Sequence, residues 1–185
     1  MIINNYLQEI NSHLNKKEFA VFANFLKKEF IKTKKKYGKI IILGNGGSAS
    51  TANHVTVDLT KNANVKAVNF NEANLITCFS NDFGYEKWME SSLEYYCDKK
   101  KDFVIFLSVS GNSKNLVNSL KWCKKNKVNF TTLTGCKKKN ILNKMCEGEN
   151  YWVDSASYNI VEIIHHALLL MVVDLIIGKS VYKPN

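Results

Sequence analysis

The chain has 185 residues, 45% hydrophobic, 23% charged and 11% aromatic. That composition excludes a collagen-like or wholly disordered chain, and the length suits one domain with a sizeable core. Its 26 basic and 16 acidic residues give a formal charge of +10, and every basic residue is lysine.

The basic excess invites a nucleic-acid reading, but base-edge and bidentate phosphate recognition favour the guanidinium fork, which lysine lacks. The short lysine runs (Lys34–Lys36, Lys99–Lys101, Lys137–Lys139) read as solvated surface, so no nucleic-acid partner is expected. Five scattered cysteines without a CxxC pair, and no basic-then-apolar leader, point to reduced thiols in the cytoplasm. The apolar stretch Ala167–Ile177 is about half a membrane span and contains Asp174, so no membrane partner is expected.

Residues 5–37 lack glycine and proline, and Phe19, Phe22, Phe25, Leu26, Phe30 and Ile31 recur at helical steps; this predicts one long amphipathic helix. Lys39–Leu43 (KIIIL) is a short β-branched run suited to a strand covered on both faces. A helix over Ser48–Leu59, a weak strand at Val65–Val68 and a helix over Asp82–Asp98 follow. Phe103–Leu107 is a second strong strand, Asn112–Asn126 a helix and Val128–Leu133 a third strand. A short helix at Ile141–Met145, a strand at Tyr151–Val153 and a long apolar helix over Ser157–Ile177 close the chain. Strands alternating with helices imply a parallel sheet, with chemistry at the carboxyl ends of its strands.

Two loops stand at such ends. Gly44-Asn45-Gly46-Gly47-Ser48 follows the first strong strand, and Ser108-Val109-Ser110-Gly111-Asn112-Ser113 follows the second. Glycines admit an anion close to the backbone, helix amino-termini offer unpaired N–H groups, and hydroxyls donate to phosphoryl oxygens. Neither loop is a Walker A or dinucleotide fingerprint. His54 and Asp58 stand four residues apart on the helix after the first loop, a spacing open to metal binding, to acid–base work, or to simple support of the helix.

GNGGSASTANH, NDFG and SVSGNS resemble the sugar-isomerase (SIS) superfamily, and within it the phosphoheptose isomerases, over nearly the whole chain. The resemblance implies a three-layer α/β/α sandwich around a five-stranded parallel, flavodoxin-like sheet, with residues 1–185 as a single SIS domain: a helical segment at 1–37 and an α/β core at 38–178. It implies a cytoplasmic homotetramer with shared active sites. The implied activity is aldose–ketose isomerisation of sedoheptulose 7-phosphate to D-glycero-D-manno-heptose 7-phosphate through an enediol(ate), for surface polysaccharide. An isomerase of another sugar phosphate, or a non-catalytic phosphosugar-binding SIS protein, is the alternative.

By the same resemblance Ser108, Ser110 and Ser113 hold the phosphate, in a substrate-binding loop that also includes Asn112 and Val109, the latter standing where the family often has a threonine hydroxyl. Asn45, Gly46, Gly47 and Ser48 line the sugar side, and Asn81 and Asp82 lie near the substrate. His54 and Asp58 take the places of a family His and Glu that bind zinc, the Glu serving as base, so Asp58, one methylene shorter, is the expected catalytic base. Aligned on Glu162, a family glutamine and histidine fall at Val161 and Leu169, so both are replaced. His165 and His166, about a turn earlier, are the candidates for the acid, His166 favoured by its spacing from Glu162, and His54, Asp58 and His166 for zinc.

Overall fold

The computed structural model describes residues 1–181; Pro184, the chain's only proline, lies outside the described residues. The secondary structure runs α1 (Ile2–Leu14), α2 (Lys17–Lys35), β1 (Ile40–Gly44), α3 (Gly47–Lys61), β2 (Ala67–Val68), α4 (Ala73–Phe83) and α5 (Trp88–Tyr96). It continues with β3 (Phe103–Ser108), α6 (Lys114–Asn126), β4 (Asn129–Thr134), α7 (Ile141–Met145), β5 (Tyr151–Trp152) and α8 (Tyr158–Ile177). All strand pairs are parallel, in the order β2-β1-β3-β4-β5.

The period of two along β1 and β3 makes the layers. Ile40 and Ile42, with Phe103, Ile105 and Leu107, face one side and pack under α2, α3 and α8. Ile41 and Leu43, with Val104 and Phe106, face the other and pack under α5, α6 and α7. Both faces are therefore covered, as KIIIL predicts.

Two helical expectations need correction. Residues 5–37 form two helices, not one, because Lys16 is extended (ψ 138°) between them. Asn15 donates its side-chain amide to Asn11 O at 2.9 Å, a local bond that competes with helix propagation. The helix expected over Asp82–Asp98 forms only as α5, Trp88–Tyr96; Asp82 and Phe83 instead end α4, an unanticipated helix that begins at Ala73 and is closed by Gly84 at φ 86°.

α8 spans 20 residues of mean hydropathy 2.3, the one helix among the described residues long and apolar enough to cross a membrane. Ile160, Val161, Ile164, Leu168, Leu169, Val172 and Val173 are nevertheless buried in the core with α2 and α3, which marks a core helix. At the amino ends of β1 and β3, the buried Asp102 carboxylate accepts from Lys39 N at 2.9 Å, Lys39 Nζ at 2.5 Å and Asp98 N at 2.8 Å. It ties the two central strands together at the end opposite the loops.

Candidate active site

The strand order reverses direction between β1 and β3, so the loops that leave their carboxyl ends diverge and open a crevice there. Both glycine- and serine-containing loops are found at that crevice. Gly46 adopts φ 54°, ψ −124° to start α3, a backbone conformation that side chains disfavour. Gly111 has φ 63°, and a Cβ there would collide with the Asn140 side chain. Asn140 is buried and anchors the second loop from below, donating to Thr134 Oγ1 at 3.1 Å and Lys137 O at 3.0 Å.

Asn45, Ser48, Ser108, Val109, Ser110, Ser113, Tyr158 and Glu162 line a small cavity of about 80 Å³ between the loops. It has room for one small polar group. Ser108 Oγ accepts from Gly111 N at 3.0 Å and Ser110 Oγ from Asn112 N at 3.3 Å, bonds that leave the hydroxyl protons free to donate. The amino-terminus of α6 opens on the same loop, adding a favourable dipole for an anion. Asn112 turns its side-chain oxygen to Ile141 N at 3.1 Å, so it braces the loop.

Sequence reasoning missed two supports. Asn115, buried at the start of α6, exchanges amide hydrogen bonds with Asn45 at 3.0 and 2.9 Å. Tyr85 donates its hydroxyl to Asn45 Oδ1 at 3.3 Å. The signal for Asn115 is its place two residues after Ser113, in the first turn of the helix that leaves the serine loop; nothing local marks Tyr85. Asn81 and Asp82, expected beside the substrate, sit exposed on α4, where Asn81 donates to Asp82 at 3.0 Å, and neither lines this cavity or the wider cleft beside it.

A second, wider cleft of about 630 Å³ is lined by Tyr6, Gly47, Ser50, Thr51, His54, Asn159, Glu162, Ile163 and His166. His54 Nδ1 and His166 Nε2 stand 3.0 Å apart, joining α3 to α8, and His54 Nε2 lies 3.4 Å from Asp58 Oδ2. Burial, then the neighbouring His54, push the His166 pKa down, while Asp58 opposes them, so the neutral imidazole of His166 is favoured. Asp58 lies behind His54, held by Asn62 Nδ2 at 3.1 Å, and lines neither cavity.

His165 does not join this group. It is fully buried, with Nε2 3.3 Å from Thr134 O, and burial pushes its pKa down to about 4. Val161 packs into the space Gly135 leaves, where a Cβ would stand 2.6 Å from Cγ2, and Leu169 is buried in the same core. The face of α8 that meets the cleft carries Glu162 and His166 instead.

The zinc that the resemblance implies does not fit this arrangement. His54 gives one ring nitrogen to His166 and the other to Asp58, so the three donors do not converge on one point. Among the described residues no three His, Cys, Asp or Glu side chains are grouped to hold a metal ion.

No family model matches the chain. Among curated relatives, a phosphoheptose isomerase of Helicobacter pylori is 32% identical over 143 residues, 66% of this chain and 74% of that protein. One from Histophilus somni is 34% identical over 106 residues, 55% of this chain and 54% of that protein. Among solved structures, phosphoheptose isomerases from Neisseria gonorrhoeae and Francisella tularensis superpose with a TM-score of 0.83 at 21% and 20% identity. They cover 95% and 96% of this chain and 97% and 95% of theirs, a likeness of fold. Fold and crevice together define an α/β protein of the sugar-isomerase class. The chain belongs to the phosphoheptose isomerase family, a family of aldose–ketose isomerases.

Proposed function

We propose that this chain, as a single SIS domain, interconverts sedoheptulose 7-phosphate and D-glycero-D-manno-heptose 7-phosphate through an enediol(ate). The observation that carries the reading is the adjacency of two spaces: a hydroxyl-lined cavity the size of one phosphoryl group and a wider cleft lined by His54 and His166. The phosphate, bound by Ser108, Ser110, Ser113 and the α6 amino-terminus, holds a long sugar so that its carbonyl end reaches the imidazoles. Fixing the substrate far from the reacting carbons supplies orientation.

The two rings then carry the hydroxyl proton between O1 and O2. A neutral His166 can accept a proton, and His54, backed by Asp58, can share the charge that develops. No step is routed through zinc, since His54, Asp58 and His166 do not present convergent donors. A cytoplasmic homotetramer completes the reading: exposed Ile2, Ile3 and Leu7 on α1 and Ile163 and Met171 on α8 leave apolar surface that further copies would cover. The product would feed surface polysaccharide synthesis.

The test is incubation of the purified protein with sedoheptulose 7-phosphate, with and without zinc, following aldose formation by NMR. Turnover is expected. Thermal stabilisation by the sugar phosphate without turnover would favour a phosphosugar-binding protein instead. Ser108→Ala combined with Ser110→Ala should remove the stabilisation; unchanged binding would place the phosphate elsewhere.

A further inference from the structure

Glu162 is the one residue that lines both cavities, and the one carboxylate in either. It stands on α8 one turn before His166, so the two side chains share a helix face. Its carboxylate rests against the first residue of α3: a side chain at Gly47 would collide with both carboxylate oxygens. No hydrogen bond or ion pair engages it among the described residues. Asp58 differs on each count, being bonded to Asn62, backed onto His54 and outside both cavities. A base that takes a proton from carbon must touch the carbon acid, and an uncommitted carboxylate in a cleft is suited to that task.

We propose that Glu162 is the catalytic base that moves the carbon-bound proton. The assignment rests on the isomerase reading above. The Glu162 carboxylate takes a proton from C1 of the open-chain ketose. The C–H electron pair becomes the C1=C2 bond, and the carbonyl pair moves to O2, which takes a proton from the His54–His166 pair. The imidazoles then remove the proton from O1, whose electron pair forms the new carbonyl at C1. The C1=C2 pair recovers the proton from Glu162 at C2. The enzyme ends as it began, and no oxidant or reductant is consumed. Asp58 in this scheme is a positioning residue that orients His54.

The test compares the intact chain with Glu162→Gln, Glu162→Asp and Asp58→Asn. Each is incubated with sedoheptulose 7-phosphate in D2O, and NMR follows both aldose formation and deuterium uptake at carbon. Glu162→Gln is expected to lower kcat about 10²–10⁴-fold, with deuterium uptake falling alongside and KM nearly unmoved. Its melting temperature should match that of the intact chain, and Glu162→Asp should recover part of the rate. Asp58→Asn should slow turnover yet leave deuterium uptake measurable. Turnover untouched by Glu162→Gln overturns the assignment alone, as does a raised KM with unchanged kcat, which marks a residue that only holds the sugar. Loss of uptake in Asp58→Asn as complete as in Glu162→Gln also overturns it. Absence of turnover in the intact chain overturns the isomerase reading and this assignment with it.

Discussion

Asn45 and Asn115 donate to each other's amide oxygen at 3.0 and 2.9 Å, locking the loop after β1 to the first turn of α6. Because these two elements flank the small cavity, the pair sets its width. Asn115→Leu keeps the volume but leaves Asn45 with only Tyr85. Stability should fall by about 1–3 kcal/mol, the cost of an unmade buried hydrogen bond. Sugar-phosphate affinity should weaken about tenfold, equivalent to ~1.4 kcal/mol. Chemical denaturation and ligand titration by calorimetry check the two effects separately.

Gly111 meets two constraints at once, a φ of 63° and the Asn140 side chain pressed against it. Gly111→Ala must strain the backbone and push Asn140 from its bonds to Thr134 and Lys137. A cost of about 1–3 kcal/mol is expected for the backbone alone. The serine loop would lose its shape, so the variant should fold yet show little thermal stabilisation by sugar phosphate.

The buried imidazole of His165 makes stability depend on pH. Its pKa is about 4 in the folded chain, against 6.5 when exposed. As pH falls below the exposed value, the unfolded chain takes up a proton that the folded chain refuses, so stability is lost progressively until about pH 4. The loss from this group is about 3 kcal/mol at most. Burial lowers the pKa of His13 and His166 as well, adding loss of the same sign. Urea unfolding between pH 4 and 7 should show a slope shallower by about one proton in His165→Leu than in the intact chain.

Asp102 gathers three donors beneath the central strands. Asp102→Ala strands two backbone N–H groups, while Lys39, partly exposed, can return to water. A loss of about 2–3 kcal/mol is expected, with catalytic parameters unchanged because the site is at the opposite end of the sheet. Denaturant titration alongside steady-state kinetics distinguishes this from a site effect.

Legibility varied with the physics behind each element. Ile40–Leu43 and Phe103–Leu107 were plain because a short β-branched or aromatic run closed by glycine or serine has few other uses. The phosphate-type loops were plain because their residues sit where a parallel sheet concentrates its chemistry. The break at Lys16 was hidden, since neither glycine nor proline announces it. α4 was hidden because none of its residues is buried, although Leu75, Ile76 and Phe79 keep helical spacing. The working face of α8 was the hardest: apolar residues surround most of its circumference, so periodicity names no face. Packing alone sends His165, Val161 and Leu169 inward and Glu162 and His166 outward.

The outermost strands, β2 and β5, are only two residues long each. Little free ladder is left at either margin to recruit a foreign strand, which protects the chain against sheet-to-sheet aggregation. A margin of two residues offers too few unpaired backbone groups for one copy to extend the sheet of another.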